Sequence, residues 1–193
     1  MRAEWPTADP LTPLRYRRIL VPLDGSLRAE SVLPIATRLA QTHEAELLLL
    51  HIVARPEMVQ RHTLTAADNA LSEQIVQTNL SAATTYLAQL QQRLPPATQT
   101  RLVVSDNVIA TLHELVAQEQ ADLLLLSAHG HSGGCERPYG NTTTNFITYG
   151  RVPLLIIQDV PYHKMARMGL IGSQGATNGH APRATLANTN YAH

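Results

Sequence analysis

Apolar residues are not spread evenly along the chain but gather in five short runs. Each run has the length and the leucine-rich or β-branched composition of a buried strand. The five runs are 18-RILVPLD-24, 46-ELLLLHIV-53, 99-QTRLVVS-105, 122-DLLLLSA-128 and 152-VPLLIIQD-159. Nearly continuous apolar runs are typical of strands that are covered on both faces, as in a parallel sheet. The pattern therefore predicts a five-stranded parallel sheet.

A helix is predicted directly after the first run. Ser26 is a good N-terminal cap, and the helix should continue to about Gln41 with a bend at Pro34. The residues expected on its inner side are Leu33, Ile35, Ala36, Leu39 and Ala40.

A long helix is predicted after a connection at residues 54–65. Apolar residues recur along it at steps of three and four until Pro95-Pro96 ends it. They are Leu80, Ala83, Leu87, Leu90 and Leu94. Such a stripe could form a coiled-coil seam, but one so short more often packs against a sheet, and core packing is expected here.

Two further helices complete the alternation of strands and helices. Asp106 and Asn107 are good cap residues for the first of them. Its expected inner residues are Val108, Ile109, Leu112, Leu115 and Val116. A short helix at about residues 142–149 should lead into the last strand.

This alternation is typical of a doubly wound α/β domain with right-handed crossovers. We predict five parallel strands in the order 3-2-1-4-5, with helices on both faces, over residues 16–159. Residues 1–15 should form an extended arm, and residues 160–193, rich in Gly, Ala, Asn and Thr, a mostly disordered tail. Ligands of such domains bind at the carboxyl ends of the strands, where the strand order reverses.

The composition excludes several classes of function. Fifteen basic and fifteen acidic residues give no net charge, whereas nucleic-acid and anionic-membrane partners usually need a broad basic surface. The single lysine, Lys164, lies outside any glycine-rich loop, which excludes a Walker A phosphate loop. One cysteine cannot form an internal disulfide, the first residues lack the apolar core of a signal peptide, and no apolar run approaches the roughly 20 residues that span a bilayer. We therefore expect a soluble protein of the cytoplasm.

The loop after the fourth strand, 127-SAHGHSGGCERPYGNTTTN-145, carries the most suggestive chemistry. It can be interpreted as a phosphate-binding loop, because glycines let backbone N–H groups approach oxygen atoms closely. The helix that begins near Asn141 would add unpaired N–H groups and a partial positive charge. Thr142 or Thr143 could donate a hydroxyl, and the nearby cations are Arg137 and Arg151.

Two other interpretations of this loop remain open on the residues alone. A metal site would use His129, His131, Cys135 and Glu136, whose types suit zinc, although a His-x-His pair in a loop fixes no ligand geometry. A plain surface turn would use the glycines only to reverse the chain.

Three stretches of the chain resemble the universal stress protein family. They are 18-RILVPLDGS-26, 121-ADLLLLSAHGHSG-133 and 140-GNTTTNFITYGRVPLLIIQD-159, and the likeness covers roughly residues 16–159. Members that bind ATP carry a Gly, two residues, a Gly, nine residues, a Gly and then Ser or Thr. Gly130 and Gly140 keep the separation of nine. Ser127 replaces the first glycine, and Asn141 replaces the closing Ser or Thr.

The resemblance implies a site for ATP or another adenine nucleotide, with Mg²⁺ sharing the charge of the phosphates. Asp24 would contact the adenosine part, and Pro22 and Val53 would flank the adenine. The loop would cradle the phosphates through Gly130, Gly140, Asn141 and Thr142, and Ser127 and His129 would belong to the same nucleotide site. Asn141 would also cap the helix. Without the family, an Asp before Gly-Ser is more often a turn residue, so this alternative stays open for Asp24.

The resemblance also implies a partner. The last strand would leave an apolar sheet edge, which invites aggregation unless it is covered or paired. Because family members commonly dimerise through this strand, we expect a homodimer; its edge residues are Val152, Leu154 and Ile156. No other protein partner is indicated.

The function that the resemblance implies is that of a dimeric, nucleotide-binding stress-response or sensor protein. No catalytic residue can be named; weak ATP hydrolysis would need a positioned water and a base, and His129 and His131 are no more than candidates for that base. Two alternatives stay open. One is an interaction module of the same fold that binds no nucleotide, and the other, less favoured, is an enzyme that uses an adenine nucleotide.

Overall fold

The computed structural model describes residues 14–56, 65–130 and 138–158. These residues form strands and helices in strict alternation, apart from one pair of consecutive helices. The elements are β1 (Arg18–Leu23), α1 (Leu27–Glu30), α2 (Leu33–His43), β2 (Glu46–Ala54), α3 (Ala66–Arg93), β3 (Gln99–Ser105), α4 (Val108–Gln118), β4 (Leu123–Ser127), α5 (Asn141–Tyr149) and β5 (Leu154–Ile157). Every predicted strand is present.

The strands form one parallel sheet in the order β3-β2-β1-β4-β5, which confirms the predicted order. β1 lies at the centre. It pairs with β2 from Arg18 to Leu23 and with β4 at Ile19 and Leu20. Because the chain leaves β1 towards β2 on one side and returns to β4 on the other, a crevice opens at the carboxyl ends of β1 and β4.

Each face of the sheet has its own core, since successive side chains of a strand point to opposite faces. Ile19 and Val21 pack with buried residues of α2 and α3. Leu20 packs on the other face with buried residues of α4 and α5, among them Leu112 and Phe146. Two covered faces explain why the strands are apolar at nearly every position.

The helix predicted from Ser26 to Gln41 is in fact two helices. Ser26 is an N-cap, as predicted, and its side chain accepts a hydrogen bond from the backbone N–H of Ala29 at 3.1 Å. The helix that it begins, α1, has only four residues.

Pro34 is the second residue of a separate helix, α2, so the predicted bend at Pro34 within one continuous helix is wrong. It lies in the first turn of α2, where the missing N–H of proline costs no helical hydrogen bond. Ile35 is 40% exposed, so its predicted inward position is wrong. The buried side chains of α2 are Leu33, Ala36 and Ala40.

The apolar stripe of α3 packs in the core, as predicted. Ala83, Leu87 and Leu90 are buried, and the last two belong to the core on the α2 side of the sheet. Thr65 and Asp68 form a reciprocal capping box at the start of the helix.

The last two helices also begin at polar turns. Asn107 caps α4, and its side-chain oxygen accepts from the N–H of Ala110 at 3.0 Å. The N-cap of α5 is Gly140, so the predicted capping role of Asn141 is wrong: Asn141 is the first helical residue.

No helix in the described parts of the chain is both long enough and apolar enough to cross a membrane. Most of the predicted N-terminal arm and the whole of the predicted C-terminal tail lie outside the described residues.

Candidate functional site

A cavity of about 350 Å³ lies in the crevice at the carboxyl ends of β1 and β4. It is bordered by the turn after β1, the end of β2, one side of α4, the residues after β4 and the first turn of α5. Its lining residues form two groups, an apolar one mainly from the strands and α4, and a polar one from the turn after β1, the residues after β4 and the first turn of α5. These groups are called the apolar end and the polar end.

The apolar end is built by strands and α4 together. Pro22 comes from β1, and Leu50 and Ile52 from β2. Val108 and Leu112 of α4 and Leu126 of β4 complete the wall. Such a surface can bury the flat face of an aromatic or heteroaromatic ring.

The polar end lies where the two ends of the glycine loop meet. The N–H of Gly140 donates to the carbonyl of Ala128 at 2.7 Å. A Cβ built on Gly140 would lie 3.8 Å from the backbone nitrogen of Gly130. The two glycines that the sequence separates by nine residues are therefore neighbours in space.

The first turn of α5 borders this end of the cavity through Asn141, Thr142 and Thr143. The first N–H groups of a helix have no partner within the helix, and the helix dipole makes this end attractive to anions. Gly140 offers no side-chain oxygen to satisfy them. The polar end thus has the chemistry of an anion site.

Thr143 ties α5 to β4. Its side chain is buried, with 3% exposed, and its hydroxyl donates to the carbonyl of Ser127 at 2.9 Å. The hydroxyl is therefore occupied within the protein, which leaves Thr142 as the threonine that borders the cavity with a half-buried side chain.

Asp24 is a turn residue that also lines the cavity. Its Oδ1 accepts hydrogen bonds from the N–H of Ser26 at 3.0 Å and from the hydroxyl of Ser26 at 2.7 Å, which is the behaviour of a turn residue. Its carboxylate also lines the cavity, and a Cβ on Gly130 would overlap its Oδ2. The loop after β4 can approach Asp24 this closely because residue 130 is glycine.

Ser127 stands where the resemblance expects a glycine. Its hydroxyl donates to the carbonyl of His129 at 2.6 Å, so its polar group is satisfied inside the turn after β4. Ser127 and His129 both line the cavity and are both buried. The substitution adds bulk to the wall of the cavity and leaves no unsatisfied hydroxyl in it.

Val53 does not line this cavity, and Ile52 takes the place that was expected for it. Adjacent residues of a strand point to opposite faces, and Ile52 shares its face with Leu48 and Leu50. Val53 points to the α3 side. The alternation of side chains along β2 could have indicated this difference, because it places Ile52 on the same face as Leu48 and Leu50 and places Val53 on the other.

A second cavity, of about 660 Å³, lies on that opposite face between β2, α3 and the turn after β1. Asp24 lines both cavities. His51 and Tyr86 face the second one, with ring centroids 6.0 Å apart in an edge-to-face arrangement.

Burial lowers the pKa of His51, and the negative charge of Asp24 partly opposes this effect. Burial, followed by the carboxylate of Glu30, raises the pKa of Tyr86.

The charges around the first cavity are sparse. Its described lining residues include the carboxylate of Asp24 but no lysine or arginine. Arg151 is exposed and does not line the cavity, and Arg137 lies outside the described residues. Of the residues expected at a nucleotide site, the following line this one cavity: Pro22, Asp24, Ser127, His129, Gly130, Gly140, Asn141 and Thr142.

The alternative metal site cannot be built from the described part of the chain. No three His, Cys, Asp or Glu side chains cluster there in a way that could hold a metal ion. Of the four residues considered for zinc, only His129 is described; His131, Cys135 and Glu136 lie outside.

Comparison with solved structures identifies proteins of the same fold. Universal stress protein UspA from Lactobacillus plantarum is 24% identical with a TM-score of 0.65, and the match covers 75% of this chain and 99% of that one. The hypothetical protein MJ0577 is 19% identical with a TM-score of 0.65, covering 77% and 99%. A universal stress protein in complex with cAMP is 19% identical with a TM-score of 0.54, covering 75% and 98%. These likenesses establish the fold.

The family follows from a separate comparison of the sequence. The model of the universal stress protein family matches residues 15–158, which is most of the chain and includes every element of the sheet. This protein therefore belongs to the universal stress protein family.

Proposed function

We propose that this protein binds an adenine nucleotide in the cavity at the carboxyl ends of β1 and β4 and acts as a nucleotide-responsive stress protein. The observation that carries the proposal is the contact of Gly130 with Asp24 beside Gly140. It leaves an open, glycine-lined cradle next to an apolar crevice. A volume of about 350 Å³ lies within the usual range of small-ligand sites.

The apolar end suits the adenine ring. Pro22, Ile52 and Leu126 offer carbon surface to both a base and the ribose carbons. Asp24 lines the cavity and contacts Gly130 of the glycine cradle, so its carboxylate can accept hydrogen bonds from hydroxyl groups of a ligand. The ribose of a nucleoside offers such hydroxyl groups.

The glycine cradle and α5 suit the phosphates. Gly130 and Gly140 keep side chains away from the cradle, and the first turn of α5 supplies backbone N–H donors with a favourable dipole. The hydroxyl of Thr142 can add a donor. Asn141 retains its backbone N–H at the first helical position and does not need to cap the helix for this purpose.

The proposed ligand is ATP or another adenine nucleotide. Because Asp24 is negative and no lysine or arginine is found among the described lining residues, a triphosphate would need a cation such as Mg²⁺ to share its charge. A monophosphate or a cyclic nucleotide has fewer charges to balance. A protein of the same fold has been solved in complex with cAMP, which supports including cyclic nucleotides among the ligands to be tested.

The experiment begins with the purified protein as it is. Small molecules released by heat denaturation are separated by chromatography, and the nucleotide-free protein is titrated by calorimetry with ATP and Mg²⁺, ADP, AMP and cAMP. GTP serves as the control for base recognition. We expect binding of at least one adenine nucleotide with a Kd on the order of micromolar, which corresponds to about −8 kcal/mol. The formation of ADP in the ATP samples reports any slow hydrolysis.

The second candidate function is a nucleotide-independent interaction module of the same fold. It is favoured by two observations, the side chain of Ser127 in the cavity wall and the absence of lysine and arginine from the described lining. No released nucleotide and no binding in any titration would support it and overturn the first proposal.

We further propose that the protein is a homodimer in the cytoplasm that forms through β5. The carbonyl groups of Pro153 and Ile157 accept hydrogen bonds from β4. In a parallel ladder the intervening residues point their backbone groups the other way, so Leu154 and Ile156 present theirs at the open edge. A second β5 would satisfy this edge and cover apolar side chains of Val152, Leu154 and Ile156.

A further inference from the structure

The turn after β1 separates the nucleotide cavity from the second cavity on the opposite face. Asp24 lines both, and Gly25 lines the second. A Cβ on Gly25 would lie 3.9 Å from Cε1 of His51. A change in the charge of His51 should therefore change the electrostatic potential at the Asp24 carboxylate, which lines the proposed nucleotide site.

His51 has no hydrogen bond that would fix its protonation state. Its Nδ1 is buried without a partner. On the neighbouring strands it lies opposite Leu23 of β1 and Leu102 of β3, which are both apolar. The ring meets the edge of Tyr86 from α3.

The charged groups near His51 come from three elements. Asp24 lies in the turn after β1 and acts directly on the imidazole. Glu30 of α1 and Arg93 of α3 act on the neighbouring phenol of Tyr86, and they form an ion pair with each other at 3.8 Å. Asp24 is thus the carboxylate that a protonated His51 would attract.

We propose that His51 is a positioning residue for the nucleotide site, and that its protonation withdraws Asp24 from the nucleotide. Neutral His51 leaves the carboxylate bonded to Ser26 and seated against Gly130. A protonated His51 would have a buried N–H without a partner. It would therefore attract the Asp24 carboxylate away from Ser26 and Gly130. Nucleotide affinity should therefore fall as His51 takes up a proton.

Linkage requires the reverse effect as well. If protonation weakens the nucleotide complex, bound nucleotide must make His51 harder to protonate by the same factor. This reciprocal effect can be measured on the unaltered protein. The inference rests on the proposed nucleotide site, but it concerns a residue on the other side of the sheet.

The test measures nucleotide affinity between about pH 8 and about pH 5.5, on either side of the ordinary histidine pKa of about 6.5. The wild-type protein is compared with His51→Gln, which keeps polar groups but cannot become charged in this range. His113→Gln is the matched control, because His113 is half-buried on the α4 side and hydrogen-bonded to Asn145. Titration of the nucleotide phosphates affects all three proteins alike.

Acidification should lower the nucleotide affinity of the wild-type protein and of His113→Gln more than that of His51→Gln. We expect the factor of the decrease to be about five times larger, or more, than in His51→Gln. An equal pH profile in all three proteins overturns the inference and leaves the nucleotide site standing. No binding at any pH overturns the proposed function and this inference together.

A second measurement needs no variant, in case His51→Gln does not fold. NMR titration of the His51 ring signals gives its pKa in the free protein and in the nucleotide complex. The inference requires a lower pKa of His51 in the complex. The same pKa in both states overturns it.

Discussion

Gly130 lies directly against the carboxylate of Asp24, so close that a Cβ at position 130 would overlap Oδ2. The two residues come from different strand ends, one after β1 and the other after β4. Their contact brings the two turns together without a side chain on residue 130. A backbone position that admits only a hydrogen atom is a strong constraint on sequence.

The first prediction uses the different surroundings of the two loop glycines. Gly130→Ala should weaken adenine-nucleotide binding by about tenfold or more, because the new methyl group displaces Asp24 or the loop, and misplacement of a binding group by about 1 Å has large effects. Gly140→Ala is the comparison variant: it adds the same methyl group to the cradle without displacing Asp24, so it should weaken binding less than Gly130→Ala does. Its Cβ would meet only ordinary contacts, at 3.6 Å from the carbonyl oxygen of Ala128 and the Cα of His129. Calorimetric titration of both variants gives the comparison.

The two variants should keep the fold of the wild type, as checked by circular dichroism. Equal affinity of Gly130→Ala and wild-type protein would show that the nucleotide does not depend on the contact with Asp24. The site would then have to be placed elsewhere in the crevice.

The second prediction concerns the bond that holds α5 to β4. Thr143→Val keeps the shape of the side chain but removes the donor to the buried carbonyl of Ser127. Loss of such a partner costs about 1–3 kcal/mol, so the free energy of unfolding should fall by that amount. Thr148→Val is the control, because its hydroxyl donates to the carbonyl of Thr144 on an exposed turn of the same helix.

Urea denaturation of the two variants measures the difference. The control should lie within about 0.5 kcal/mol of the wild type. Comparable losses in both variants would mean that helix propensity, and not the link to Ser127, accounts for the effect.

The strands could be predicted well from the sequence because their apolar runs record burial on both faces. The bounds of β3 coincide with the predicted ones, and the strand order is the predicted order. The sequence pattern does not predict the break between α1 and α2, because a proline in an apolar pattern is consistent with a bend and equally with the first turn of a new helix. One continuous helix would place Ile35 inward, whereas it is exposed on α2.

The candidate site was predicted in its polar half and missed in part of its apolar half. Glycines clustered in a loop and an aspartate in a turn stand out in the sequence, because such residues are uncommon among the apolar residues of a core. The residues Ile52, Leu112 and Leu126 are indistinguishable in type from core residues, and only the geometry shows that they line the crevice. Capping by Gly140 was missed because Asn141, next to it, is itself a common cap residue.

The third prediction concerns stability against acid. Burial lowers the pKa of His51 from its usual 6.5, so the folded protein binds this proton less readily than the unfolded chain does. Above pH 6.5 the histidine is neutral in both states. As the pH falls below 6.5 the unfolded chain takes up the proton first, and the stability of the fold is lost progressively down to the lowered folded-state pKa.

Melting temperatures of wild-type protein and His51→Gln, measured at several pH values between about 7.5 and about 5.5, test this expectation. The wild type should lose more on acidification than the variant does. Other titrating groups are common to both proteins, so parallel curves would show that burial of His51 does not contribute to acid sensitivity.

The fourth prediction tests whether the protein dimerises through the open backbone edge of β5. Ile156 presents its backbone at the open edge, while its neighbour Ile157 accepts from the N–H of Ala128. Ile156→Pro removes an edge donor without removing a bond to β4, and proline is tolerated at sheet edges for this reason.

Light scattering should show a dimer for the wild type and a monomer for Ile156→Pro. Ile156→Val, which keeps the N–H and most of the apolar surface, should remain a dimer. A dimeric Ile156→Pro would mean that the copies associate through another surface, and a monomeric wild type would overturn the dimer altogether.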